Sequence, residues 1–155
     1  MSNCKNGQTY VNTCIAAQGA TDTDATYVLN LTHYTCGNRQ ICANGAYPIT
    51  ADLKYRIIGT PESVGNGVYN CSVLCTGTVT YMPYKSNGNN CGCGCQSCPI
   101  TENVWATVSV PIASAEIPDI TDGDSIAEAT ELKDCCNLTN AVSITSSFNL
   151  ASTQG

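Results

Sequence analysis

From Ala51 to Ile57 the chain reads Ala-Asp-Leu-Lys-Tyr-Arg-Ile, an apolar residue at every odd position and a charged one at every even position. Only a β-strand places residues i, i+2 and i+4 on one face, so this run specifies a strand with one side buried and one in water. The same period recurs along the chain. Tyr27, Leu29 and Leu31 are in phase, and so are Cys71, Val73, Cys75, Val79 and Tyr81. Val104, Ala106, Val108 and Val110 alternate with Trp105, Thr107 and Ser109, while Val142, Ile144, Phe148 and Leu150 oppose Ser143, Thr145, Ser147 and Asn149. Breaks such as Gly59-Thr60-Pro61 and Gly65-Asn66-Gly67 separate the runs. This spacing predicts an all-β chain: a single jelly-roll-like β-sandwich over residues 25–155, with Leu53, Tyr55, Ile57, Val108, Val110, Ile144 and Phe148 facing inward.

Two segments fall outside the pattern. Residues 1–24 alternate weakly, are rich in Asn, Gly, Thr and Gln, and contain Cys4 and Cys14. They read as a flexible N-terminal connector arm, which fully extended reaches up to about 80 Å. Glu116–Asp134 holds seven of the twelve acidic residues and reads as an exposed loop. Within it Ser125-Ile126-Ala127-Glu128 matches a capping box, yet Ile126 and Leu132 lie on different helical faces, so helix and loop both stay open.

A chain of 155 residues fits one domain and buries roughly two-thirds of its unfolded surface, so it can fold without cross-links. Its twelve cysteines therefore point to durability, to linkage between molecules, or to metal. Charged residues are 12% of the chain, and 19 Thr, 15 Asn and 12 Ser supply the polar surface instead. Such a surface repels its own copies weakly and tolerates dense self-packing. Six basic residues and a net charge of −6 argue against nucleic acid. No stretch approaches the roughly 20 apolar residues of a membrane helix, and none near the N-terminus resembles an export signal, so release by cell lysis is one expected route to an oxidising exterior.

The densest thiol cluster is Cys91-Gly92-Cys93-Gly94-Cys95-Gln96-Ser97-Cys98. Four thiols on a glycine-freed backbone could wrap Zn(II) or Cu(I), as metallothionein tracts do, and a thiolate metal-binding module is the alternative reading of the chain. The preferred reading is disulfides to different partners, with no metal or other cofactor, because only Cys95 and Cys98 have knuckle spacing and the other cysteines are scattered. Cys135-Cys136 project to opposite sides of an extended chain, which suits a node in a covalent network or two ordinary bridges. Cys71 and Cys75 share a strand face and read as core bridges, while Cys36 and Cys42 could staple a hairpin or tie it to a neighbouring strand. Cys4, Cys14, Cys135 and Cys136 are the candidates for links between subunits.

Catalytic signals are weak, and the chain is not expected to be an enzyme. His33 is the one histidine and reads as structural. No nucleophile elbow, phosphate loop or dinucleotide fingerprint is present. Cys95-Gln96-Ser97-Cys98 has thioredoxin-like spacing without the βαβ context. Asp119, Asp122, Asp124 and Glu128 lack the spacing of a calcium loop. Asn30-Leu31-Thr32, Asn70-Cys71-Ser72 and Asn137-Leu138-Thr139 match glycosylation acceptors at the frequency chance allows in an Asn/Thr-rich chain.

These features predict a structural subunit that assembles with copies of itself into a fibre or shell hardened by disulfides, with a secreted adhesin or binding domain as a further alternative. With Cys4 and Cys14 in a polar arm ahead of a β-rich body, the layout resembles the cysteine-rich surface proteins of bacterial endospores, in particular spore appendage (pilus) subunits. The resemblance implies a jelly-roll domain, an N-terminal connector whose cysteines bond to other subunits, and an extracellular, spore-surface location. That family places adjacent cysteines in the connector, whereas the pair here is Cys135-Cys136.

Overall fold

The structure, a computed structural model, describes residues 7–16, 26–42, 47–84, 98–112, 117, 119–121, 123–129 and 138–151. Among the described residues, ten strands form two antiparallel five-stranded sheets packed face to face. One sheet holds β1 (Thr9–Ala16), β2 (Thr26–Tyr34) and β10 (Ala141–Ala151), with β8 (Ser125–Ala129) and β7 (Asp119–Thr121) following one another along the far side of β10. The other is a meander of β4 (Thr50–Gly65), β5 (Val68–Pro83) and β6 (Ile100–Ile112), extended by the short strands β3 (Ile41–Cys42) and β9 (Leu138–Thr139). The strand order establishes a β-sandwich; it does not by itself specify the jelly-roll connectivity expected above.

The core is what the alternation dictates. Tyr27, Leu29, Leu31, Ile144 and Phe148 from one sheet meet Leu53, Tyr55, Val73, Val79, Tyr81 and Val110 from the other, all buried. Ile57 and Val108, also expected inside, are partly buried and pack against this cluster. Phe148 stacks on Tyr27 at 5.5 Å and packs at a 36° tilt against Tyr55 at 5.0 Å, which joins the sheets through large apolar area at the centre. Asn66-Gly67 closes the β4–β5 hairpin with φ of 54° and 76°. This is the two-residue turn whose twist matches paired strands and which demands left-handed residues. At Gly77 the neighbouring strand comes so close that an added Cβ would lie 2.1 Å from the Asp52 carbonyl oxygen.

Two expectations are corrected. Residues 9–16 are not part of a free arm: they form β1, the edge strand of the first sheet, paired with β2 from Thr9–His33 to Ala16–Tyr27. A bulge between Val11 and Thr13 hides the strand from a period-2 reading, because it reverses the phase. Val11 and Cys14 both pack against the core, although they are three residues apart. Ser125–Ala129 is neither loop nor helix. It pairs with β10 from Ser125–Ser146 to Ala129–Val142, directing Ala127 to the core and leaving Ile126 exposed. The cap-like serine bonds across strands instead, Ser125 Oγ lying 3.1 Å from Ser146 Oγ. The open edge of β10 needs a partner, and this tertiary demand outweighs a local capping pattern.

Candidate functional site

The end of the sandwich where β2 and β5 stop and β3, β6 and β10 begin holds Cys36, Cys42 and Cys98. Cys36 lies in a 3-10 turn, Cys36–Asn38, just after β2; Cys42 is in β3; Cys98 is two residues before β6. The Gly7 amide donates to the Tyr34 carbonyl at 2.6 Å, so the chain enters β1 from this end. The Tyr84 amide donates to the Gln40 carbonyl at 2.9 Å. Ala129 pairs with Val142, next to the start of β10, and Leu138 pairs with Cys42. Gly7, Tyr84, Cys98, Ala129 and Leu138 are the described residues that border the stretches holding Cys4, Cys91–Cys95 and Cys135-Cys136. One pole of the domain is thus a cysteine pole.

Glu102 organises it. Strand β6 turns its even residues inward, so this carboxylate enters the sandwich beside Val104 and Ala106. There it lies 2.9 Å from His33 Nε2 on the opposite sheet. Tyr81 Oη donates to it at 2.7 Å, and Arg39 Nη1 at 3.0 Å. The Cys36 amide donates to both of its oxygens at 3.1 Å. Behind His33, Thr9 Oγ1 is 2.8 Å from Nδ1. The node therefore ties β1, β2, β5, β6 and the Cys36 turn together, and charge-assisted hydrogen bonds of this kind are stronger than neutral ones. Burial raises the affinity of Glu102 for a proton, but hydrogen bonds from His33, Tyr81 and the Cys36 amide outweigh it and hold the carboxyl below its ordinary value. Burial, reinforced by the bond to this carboxylate, pushes the Tyr81 phenol well up.

Sequence reasoning named His33 as structural and overlooked Glu102. The signal was there. His33 continues the inward phase of Tyr27, Leu29 and Leu31, and Glu102 that of Val104 and Ala106. Ionisable residues at core-facing positions of two strands require partners, and these two partner each other.

The cysteines divide sharply. Cys36 and Cys98 are exposed free thiols. Cys42 is disulfide-bonded, and not to any of the other five described cysteines, whose thiols are free. Cys71 and Cys75, expected as core bridges, are instead buried free thiols. Their cross-strand neighbours are consistent with this: Val110 faces Cys71, while Tyr55 and Ala106 flank Cys75, so neither has a cysteine opposite it in the strand register. Both act as small apolar core residues. Burial pushes the Cys75 thiol up to about 11 and raises Cys71 as well. Cys14, expected in a connector, is half-buried in β1 against the core, and burial raises its thiol too. Cys4, Cys91, Cys93, Cys95, Cys135 and Cys136 lie outside the described residues. Among the described residues, no group of three or more His, Cys, Asp or Glu side chains could hold a metal ion. Also among them, no helix is long and apolar enough to cross a membrane.

The outer face of the β1–β2–β10 sheet is laced with uncharged side-chain hydrogen bonds. Asn12 Nδ2 donates to Thr32 Oγ1 at 2.6 Å and Asn30 Nδ2 to Thr13 Oγ1 at 2.7 Å. Thr145 Oγ1 donates to Asn30 Oδ1 at 3.2 Å, and Thr26 Oγ1 to Asn149 Oδ1 at 2.7 Å. Cross-strand pairs of this kind stabilise the sheet while leaving few charges on it. Comparison with protein-family models, with curated proteins and with solved structures finds no match to this chain.

Proposed function

We propose that the chain is a structural subunit that assembles with copies of itself into an extracellular, disulfide-hardened fibre or surface layer, such as an endospore appendage. The observation that carries this reading is the cysteine pole: the exposed thiols, and the borders of the other cysteine-bearing stretches, share one end of a body whose own core thiols are sequestered. Bridges made at a pole connect domains end to end without disturbing the core. The Glu102 node supports the role by holding the Cys36 turn in one geometry, and disulfide formation demands defined Cα separations and Cβ directions. The lightly charged, internally hydrogen-bonded outer face tolerates close packing against neighbours.

The reading is tested on assembled material from non-reducing conditions. Covalent multimers that resist hot detergent and collapse to a 16.2 kDa band only with reductant are the expected result. Dissolution without any thiol reagent, or predominantly free thiols with bound zinc or copper, contradicts it.

A further inference from the structure

Strands β1 and β6 are edge strands of opposite sheets that lie against each other without being hydrogen-bonded partners. Between them opens a cavity of about 430 Å³ lined by Gly7, Gln8, Thr9, Asn103 and Trp105. This falls within the roughly 300–1,000 Å³ of small-ligand sites. None of these five side chains is ionisable. Trp105 is the only tryptophan in the chain and is 63% exposed. A broad aromatic face left in water at the wall of a cavity suits a ligand with a flat apolar face of its own.

The polar groups around it have assigned polarities. Gln8 Oε1 accepts from Tyr10 Oη at 2.6 Å, which leaves the Gln8 amide nitrogen to donate. His33 Nε2 lies against the Glu102 carboxylate at 2.9 Å, so in the neutral ring that nitrogen carries the proton and Nδ1 accepts. In that neutral tautomer Thr9 Oγ1, 2.8 Å from Nδ1, donates its proton there and keeps lone pairs free to accept. The Asn103 amide, exposed on β6, can both donate and accept. The described lining therefore offers an acceptor, a donor and a mixed amide beside an aromatic platform, and no charged side chain.

We propose that this cavity binds a neutral saccharide, with a gluco-configured pyranose unit stacked on Trp105. All-equatorial hydroxyls leave such a ring with flat C–H faces for the indole. The hydroxyls at its rim both donate, as Thr9 requires, and accept, as Gln8 requires. An anionic sugar finds no cation among the described lining residues. No cysteine is among the described lining residues, and although Gly7 adjoins Cys36 at the same pole, saccharide binding can be tested on the monomer whether or not the assembly proposal holds.

Full-length protein titrated with cellotriose, followed by Trp105 emission, should show a saturable change with a dissociation constant of order 1 mM. Saturation-transfer NMR should show Trp105→Ala abolishing binding. Thr9→Val should weaken it about three- to ten-fold, the worth of one neutral hydrogen bond, with the far-UV spectrum unchanged. A triuronic acid should bind at least about ten-fold more weakly, by the same bond-counting scale. No saturable response at concentrations well above that constant, unchanged affinity in Trp105→Ala, or equal binding of the triuronic acid would overturn the proposal.

Discussion

Cys75 and Cys98 carry the same side chain into opposite surroundings. Cys75 sits in the middle of β5 between Tyr55 and Ala106, fully buried, its thiol pushed up to about 11. Cys98 stands exposed at the pole just ahead of β6. Thiol exchange needs a thiolate that a partner can reach. At neutral pH the core thiol is protonated and shut away, and it contributes as a small apolar residue. The pole thiol is open to a partner. Cysteine count alone therefore overstates the number of sulfurs open to cross-linking, and position in the strand register decides which of the described ones are accessible.

The largest effect expected from this contrast is in covalent assembly. Joint replacement of Cys36 and Cys98 by serine should lower the yield of reductant-sensitive multimers several-fold while leaving the body folded. Joint replacement of Cys71 and Cys75 by alanine should leave the covalent ladder of any folded protein unchanged. Gels run with and without reductant separate the two cases. Equal ladders from the wild type and the Cys36/Cys98 variant would break the comparison.

Stability should move the other way. Cys75→Ser places a hydroxyl in an apolar site and should cost about 1–3 kcal/mol. Cys98→Ser, on the surface, should stay within about 0.5 kcal/mol. Urea unfolding of the reduced monomer measures both, and a larger loss at Cys98 than at Cys75 would reverse the assignment.

Glu102→Gln sharpens the comparison at the pole. It removes the charge that His33, Tyr81, Arg39 and the Cys36 amide converge on, and should destabilise by about 1–3 kcal/mol. The pH dependence follows from the lowered carboxyl. A group that ionises more readily folded than unfolded contributes its full stabilisation above the unfolded value, near about 4.3, and loses it as pH falls through the folded value. Wild-type stability should accordingly drop on acidification below about 4.3, and Glu102→Gln should flatten that part of the curve. A variant that keeps the full acid sensitivity would show that other carboxylates govern it.

Much of the sandwich was legible because its strands keep one phase for many residues, as from Ala51 to Ile57. The first strand was not, because a bulge after Val11 reverses its phase, so Val11 and Cys14 face inward from positions of opposite parity. Ser125–Ala129 was misread because a capping pattern is local, whereas the need of β10 for a neighbour arises only once the sheet exists. The thiol clusters were visible, but sorting them was not. Whether Cys71 faces Val110 or another sulfur depends on strand pairing, which composition and spacing do not specify. The His33–Glu102 pair was legible in principle, as two ionisable residues on inward phases.

The most direct test of the account is disulfide mapping of the native assembly by mass spectrometry, after free thiols are blocked under denaturing, non-reducing conditions. Intermolecular peptides containing Cys36 and Cys98, with Cys71 and Cys75 recovered as blocked free thiols, is the predicted result. Intermolecular bridges through Cys71 or Cys75, or Cys36 and Cys98 recovered unbridged from covalent multimers, would contradict it.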